Sequence, residues 1–521
     1  MTRPNILFCL ADDAGLHFGA YGCTWVNTPA FDRVARQGLL FQRAYTPNAK
    51  CAPSRACILT GRNPWQLEQA CNHVSFFPAQ FKTVWEALKE AGYHTGHTAK
   101  GWAPGNPGMI NGKPRELTGP AWNTRSLTPP TPHISHIDYA ANFADFLDAK
   151  PSHAPFCFWY GSLEPHRPYA YGSGSQLGRH TISEIDHVPA IWPDNQIVRN
   201  DLLDYAFEIE HFDRHLGLML DELERRHLLY NTVVVVTSDN GMPFPRVKGQ
   251  EYEHSNHMPL AIMWPAGIRN PGRLVPDYVS FIDFAPTFLE LAGLDSHQAG
   301  MCPVTGFSLT DIFANVVTRT RNYVLIGKER HDCGRPRNQN YPIRGIVHEG
   351  WLYLRNYCPD RWPAGNPETG YLECDGGPTK TEVLKTRYIP SQRHYWERCF
   401  GKRGPEELYH VECDPDCLCN LINHPAHRQR AKHLRAKLDT ELLAQGDPRM
   451  LGQGDIFEQY PWCDEFLHNY YERFMLRHIT GERMEPCWIE SSDVQEPEDP
   501  PASSTFPPTP LNTCTPPTSI T

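Results

Sequence analysis

The sequence has no apolar run approaching the ~20 residues that a membrane-spanning helix needs. Positive charge is not in excess. The 49 Lys and Arg stand against 59 Asp and Glu, for a formal net charge of −10. A broad basic face for nucleic acid is therefore not expected, and any anion site has to be local. No internal repeat is visible. No secretory leader is expected at the start of this sequence: Asn5-Ile6-Leu7-Phe8-Cys9-Leu10 reads as too short for a leader core, and no small-residue cleavage site follows. As the sequence stands, the chain is expected in the cytoplasm, or in the periplasm or outside the cell if the true start lies upstream. The 17 cysteines form an odd count without a regular spacing, so free thiols are expected. Cys413, Cys417 and Cys419 lie close together but lack a suitably spaced fourth ligand, and read as a turn-rich loop rather than a zinc site.

What is present is an ordinary globular composition, 40% hydrophobic and 21% charged over 521 residues, enough for a large core and two domains. Residues 4–10 and 232–238 are continuous apolar runs, the second strongly β-branched, as expected of strands buried on both faces. Phe156 to Tyr160 and Leu260 to Trp264 are two more strand candidates. Helices are predicted from Asp138 to Ala149 and from Leu202 to Leu229. Alternating strands and helices predict an α/β fold, a large mixed, mostly parallel sheet between helices, over residues 1–335. From 336 to 484 the texture changes to a hairpin around His348-Glu349-Gly350, a strand at Glu407 to Val411 and a helix from Arg428 to Leu443. That pattern predicts a smaller α+β subdomain with an antiparallel sheet. The Pro-, Thr- and Ser-rich residues 485–521 are expected to be disordered.

The densest chemical signal is Cys51-Ala52-Pro53-Ser54-Arg55, continuing to Leu59-Thr60-Gly61-Arg62. It reads as a loop entering a helix, with Pro53 tolerated in the first turn and Gly61 closing the last. Cys51 is thereby set at a helix N-terminus, whose free N–H groups favour an anion, with Arg55 one turn further on. Asp12-Asp13 and Asp239-Asn240 each follow a buried strand, and parallel strands deliver such loops to one edge of the sheet. Three carboxylates and an amide oxygen make a hard site for Ca²⁺, with Mg²⁺ as the other fit. A thiolate would be a poor ligand for such an ion.

The Cys51 segment resembles the sulfatase signature, in which the cysteine is oxidised to formylglycine. Leu10-Ala11-Asp12-Asp13, Thr237-Ser238-Asp239-Asn240-Gly241 and Glu407-Leu408-Tyr409 occur in sulfatase order, and the similarity covers most of residues 4–445. The resemblance implies the alkaline phosphatase superfamily fold. Within the family, Leu10 to Ala20, Asp239 to Pro245 and Pro359 to Gly365 look most like the N-sulfoglucosamine sulfohydrolases, the heparan N-sulfatases. By position the resemblance implies Asp12, Asp13, Asp239, Asn240 and modified Cys51 as calcium ligands. It implies Arg55 as the support of the formylglycine hydrate, Lys100 and Lys248 as sulfate ligands, and His166 as the histidine at the sulfate or its leaving group. Arg167, His331 and Arg361 are expected either to line a sugar pocket or to form ion pairs at a domain interface. Many sulfatases carry a histidine two positions after the first lysine, where this chain has Trp102; His97, His73 or His257 would then take its role.

The resemblance implies a sulfated glycan or small sulfated sugar as substrate and a formylglycine-generating enzyme as maturation partner. N-sulfoglucosamine of heparan sulfate or heparin is the expected substrate. An O-sulfatase on another glycan, a phosphonate or phosphodiester hydrolase of the same superfamily, and a non-catalytic glycan-binding relative are the alternatives.

Overall fold

The computed structural model describes residues 3–480, Ile489 and residues 491–496. Eight strands make the main sheet: β1 Asn5–Ala11, β2 Leu39–Tyr45, β3 His94–Ala99, β4 Phe156–Gly161, β5 Thr232–Ser238, β6 His257–Met258, β7 Leu260–Met263 and β8 Arg273–Ser280. Their order is β6-β2-β7-β5-β1-β4-β3, with β8 beside β2. The centre, β5-β1-β4-β3, is parallel, and β7 runs antiparallel to both β5 and β2. Successive side chains of a strand point to opposite faces. Ile6, Phe8 and Leu10 accordingly enter one core with Cys57, Trp85, Phe284 and Phe288. Leu7, Cys9 and Ala11 enter the other with Phe143, Phe212 and Leu216. Both faces being covered explains why β1 and β5 read as unbroken apolar runs rather than as alternation.

The helices that cover the sheet include α1 Pro29–Gln37, α2 Cys51–Thr60, α3 Tyr139–Ala149 and α4 Gln196–Arg225. Helix α3 begins one residue after Asp138, whose side chain accepts from the backbone N–H of Ala141. Helix α4 starts six residues before the predicted Leu202 and stops four residues before Leu229. Asn195 supplies the missing start signal, its side chain accepting from the N–H groups of Ile197 and Val198 at 3.0 Å each. Its end is set by His227, which has a positive φ of 58°.

A second sheet is antiparallel: β9 Tyr323–Lys328, β10 Ile343–His348, β11 Trp351–Asn356 and β12 Glu406–His410, in that order. Its first strand precedes the boundary expected at residue 335, because the texture changes only after β9 has already joined the sheet. One face, with Ile326, Ile343 and Leu354, packs on Tyr252, on Tyr45 of β2 and on Tyr278 of β8. The other, with Leu325, Ile346 and Tyr353, is covered by Leu434, Leu438 and Leu442 of α5 Arg428–Ala444. Most of the tail expected to be disordered from 485 onward lies outside the described residues. Ile489, Asp493 and Gln495 are nevertheless buried, and Gln495 donates to the carbonyl of Leu384 and accepts from Arg387.

The sheet and the site share one tight contact. Lys100, just past β3, donates its N–H to the carbonyl of Gly161 at the end of β4. A Cβ on Gly161 would lie 1.8 Å from the Lys100 carbonyl oxygen. Gly161→Ala is expected to lower stability by about 2–3 kcal/mol through this overlap, measured by urea unfolding; a loss below about 0.5 kcal/mol would contradict it.

Candidate active site

Asp12 and Asp13 follow β1, Asp239 and Asn240 follow β5, and these strands are direct parallel neighbours. The two pairs therefore meet at one strand edge. Asp13 has a left-handed φ of 74°, a conformation that aspartate tolerates better than most residues. Cys51 is the first residue of α2, and Gly61 closes that helix with a φ of 68°. One ligand atom each from Asp12, Asp13, Cys51 and Asp239 lies within 4.8 Å of the others, and all four residues are buried. Asn240 Nδ2 donates to Asp13 Oδ1 at 2.7 Å. Its Oδ1 is buried and has no hydrogen-bond partner among the described residues. A buried amide oxygen without a donor, beside three carboxylates, suits a hard divalent cation.

Arg55 is fully buried and divides its donors among four groups. Nε donates to Asp239 Oδ2 at 2.8 Å and Nη2 to Asp12 Oδ1 at 3.3 Å, while Nη1 donates to the carbonyls of Lys100 and Gly101 at 2.7 and 2.8 Å. Ser54 explains the other polar letter of the motif, its Oγ donating to the Asp239 carbonyl at 2.6 Å. Lys100 Nζ lies 2.6 Å from Asp12 Oδ2, and Lys248 Nζ lies 2.7 Å from Asp13 Oδ2. His166 Nε2 is 3.8 Å from Asp13 Oδ2. Its Nδ1 donates to the Arg167 carbonyl at 2.7 Å, which leaves Nε2 facing the carboxylates.

The electrostatics follow from burial and pairing. Burial opposes ionisation of Asp12, but Lys100 and Arg55 outweigh it and hold the carboxyl well below its usual range. Burial also opposes the charge on Lys100 and Lys248; Asp12 for the first, and Asp13 with Asp375 for the second, keep both ammonium groups protonated. Burial pushes Asp239 up to about 7 despite Arg55, with neighbouring Asp12 adding to the effect. Burial and Asp12 push the Cys51 thiol well above its ordinary value, and its Sγ lies 3.4 Å from Asp12 Oδ1 as a hydrogen-bond donor.

Lys248 and His166 line a pocket of about 600 Å³ together with Lys50, His73, Asp332 and Asp375. Of the three histidines expected to replace the one absent at Trp102, His73 alone lines this pocket. Its Nδ1 donates to Asp332 Oδ1 at 2.9 Å, and Lys50 Nζ holds the other oxygen of Asp332 at 2.7 Å. His97 is anchored by the carbonyl of Gly119, and His257 by Glu253 and the carbonyl of Gln42, both elsewhere. Trp102 points into the core, with Nε1 donating to the Ala52 carbonyl at 2.9 Å, so it steadies the first turn of α2. Arg167 reaches the pocket wall but is committed to a bidentate pair with Asp201 at 2.8 and 2.6 Å. His331 does not line the pocket: it is fully buried between the Gly249 carbonyl and Asn48 Oδ1. Arg361 donates to the carbonyl and side-chain oxygen of Asn340 and pairs with Glu458. Cys413, Cys417 and Cys419 belong to a turn in which Asp414 accepts from the N–H groups of Leu418 and Cys419.

A sequence model of the family described as Sulfatase matches residues 4–294, more than half of the chain. The chain belongs to the sulfatase family. It is an enzyme of the class that hydrolyses sulfate esters. It is 27% identical to the human N-sulphoglucosamine sulphohydrolase over 504 residues, covering 90% of this chain and 96% of the relative. An ulvan-active sulfatase of Formosa agariphila is 26% identical over 502 residues, covering 88% and 78%. The fold is shared with a solved structure in complex with its substrate D-glucosamine-2-N,6-O-disulfate, at 19% identity, a TM-score of 0.60 and coverage of 86% and 99%. It is also shared with the phosphonate monoester hydrolase of Agrobacterium radiobacter, at 18% identity, a TM-score of 0.56 and coverage of 85% and 96%. In this sulfatase, no described helix is long and apolar enough to cross a membrane.

A cation bound at the acidic cluster must displace the proton that Asp239 holds below about pH 7. Calcium affinity measured by calorimetry is therefore expected to be about tenfold weaker near pH 6 than near pH 8. Asn240→Leu is expected to weaken it at least about tenfold at either pH; equal affinities in wild type and variant would remove Asn240 from the ligand set.

Proposed function

We propose that this sulfatase acts on a sulfated glycan and removes the N-sulfate of glucosamine in heparan-type chains. The observation that carries the hydrolytic reading is the buried cluster of Asp12, Asp13, Cys51 and Asp239 beside the ammonium groups of Lys100 and Lys248. The N-sulfate reading is supported by the near full-length similarity to the human N-sulphoglucosamine sulphohydrolase. An O-sulfated glycan is the second reading, favoured by 24% identity to an N-acetylglucosamine-6-O-sulfatase of Bacteroides thetaiotaomicron over 409 residues.

Residue 51, converted to formylglycine, and a calcium ion held by Asp12, Asp13, Asp239 and Asn240 would supply the nucleophilic hydroxyl and the Lewis acidity. The chain's own residues do the rest. Arg55 fixes both strand tips by pairing Asp12 and Asp239 and by tying down the backbone of Lys100 and Gly101. Lys100 and Lys248 present two ionised ammonium groups to sulfate oxygens, where charge builds as the bond to the leaving atom breaks. His166, anchored through Nδ1, offers Nε2 to carry the proton that the leaving nitrogen or oxygen takes. His73 faces the same pocket with its Nδ1 occupied by Asp332, so its Nε2 is the group available to substrate. It takes the place of the histidine absent at Trp102.

Sulfate release from N-sulfoglucosamine, with mass spectrometry of the Cys51 peptide, tests the reading. The expected result is formylglycine at 51 in protein made in a converting host, with turnover of the N-sulfate faster than that of glucosamine 6-O-sulfate. Fully unconverted Cys51 together with glycan binding would favour a non-catalytic relative, and faster 6-O-sulfate release the second reading. His73→Ala is expected to lower kcat/KM by about tenfold to a hundredfold. His97→Gln and His257→Gln are expected to stay within about threefold of wild type; an equal loss in all three would remove His73 from the pocket chemistry.

A further inference from the structure

The pocket holds a negative group that a sulfate-binding site has no evident use for. Asp375 Oδ2 lies 2.8 Å from Lys248 Nζ, the same ammonium that meets Asp13. One ligand atom each from Asp13, His166 and Asp375 lies within 4.8 Å of the others. The Asp375 side chain is 12% exposed and lines the pocket. Its position is built in. Lys380 Nζ donates to the carbonyl of the preceding Cys374 at 2.8 Å. Two residues on, a Cβ at Gly377 would lie 2.4 Å from Arg167 Nη1, so that glycine lets the turn close on the Arg167–Asp201 pair. A carboxylate here repels the three outer oxygens of a sulfate gripped by Lys248, and attracts any N–H or ammonium beside it.

The two kinds of sulfate differ at this point. An O-sulfate ester has no hydrogen on its bridging atom, and its hydrolysis leaves a neutral hydroxyl. A sulfamate carries one N–H. Its hydrolysis, R–NH–SO₃⁻ + H₂O → R–NH₃⁺ + SO₄²⁻, breaks S–N, forms S–O and delivers both protons of water to nitrogen. Positive charge therefore develops on the leaving atom only in the N-sulfate case.

We propose that Asp375 is the residue that selects nitrogen over oxygen: its carboxylate accepts the sulfamate N–H and is the counter-ion of the amine as it leaves. This rests on the N-sulfate reading above. Asp375 thus sorts the substrate, while His166 supplies the proton.

The test compares wild type with Asp375→Asn, which keeps the shape and loses the charge. For each, kcat/KM is measured on N-sulfoglucosamine and on 4-nitrocatechol sulfate, an O-sulfate with no amine. Inhibition of the aryl-sulfate reaction by glucosamine and by N-acetylglucosamine is measured alongside. The N-sulfate to aryl-sulfate ratio is expected to fall about tenfold to a hundredfold in the variant. The preference for glucosamine over N-acetylglucosamine as inhibitor is expected to fall with it. An equal loss on both substrates, with the inhibitor preference intact, would mean that Asp375 only holds Lys248 and would overturn the proposal alone. No sulfate release from N-sulfoglucosamine by the wild type, with aryl sulfate still turned over, would overturn the N-sulfate reading and this proposal together.

Discussion

The buried guanidinium of Arg55 is the interaction on which the site depends. It lies one turn into α2, yet it holds Asp239 at the tip of β5, Asp12 at the tip of β1 and the backbone that leaves β3. A fully buried charge is tolerated only when its donors are satisfied by partners fixed in the right geometry. Here the partners are also the groups that must converge on residue 51. The same requirement that makes Arg55 affordable inside the protein sets the distance between the two strand tips and the helix start. Ser54 adds a second tie, bonding the Asp239 carbonyl and accepting from Thr46, so consecutive residues of the motif sew one helix turn to the sheet edge.

Around that anchor, charges alternate outward. Three carboxylates, Asp12, Asp13 and Asp239, face three cations, Arg55, Lys100 and Lys248. Beyond Lys248 comes Asp375, and beyond the start of α2 come Lys50, Asp332 and His73. Burial would neutralise these groups singly, and pairing keeps Asp12, Lys100 and Lys248 ionised. Asp239 is the exception, lifted toward neutrality because Arg55 is shared and Asp12 is adjacent. A divalent cation held by this cluster would have to displace the Asp239 proton.

Much of this was legible in the chain. A double aspartate after one apolar run and Asp-Asn-Gly after another meet because neighbouring parallel strands end at the same edge, and the order of motifs was enough to pair them. The centre of the fold was legible for the same reason, since strands buried on both faces leave continuous apolar runs. Signals that depend on distant partners were not. Nothing local marks Asp332 or Asp375 as pocket residues, because the Asp-Gly-Gly turn at 375–377 reads as any tight turn until Arg167 is seen beneath it. His331 and Arg361 carry the right chemistry for a sugar pocket, but Asn48 and Glu458 claim them from far along the chain. The early start of α4, six residues before the predicted Leu202, depends on Asn195, whose side chain caps the N–H groups of Ile197 and Val198.

Cys51 itself gives the strongest argument for chemistry beyond the twenty amino acids. A cysteine that acts as a nucleophile is normally ionised by nearby positive charge and a helix N-terminus. Cys51 has the helix N-terminus and two lysines nearby, yet burial and Asp12 drive its thiol the other way, and it donates a hydrogen bond to the carboxylate. A thiol in this position is neither an activated nucleophile nor a suitable ligand for the hard ion that the surrounding oxygens fit. An oxygen-bearing side chain would resolve both conflicts at once, since it could join the carboxylates around a cation that lowers its proton affinity. The three buried carboxylates and the raised thiol at residue 51 suit an oxygen-bearing side chain better than a cysteine.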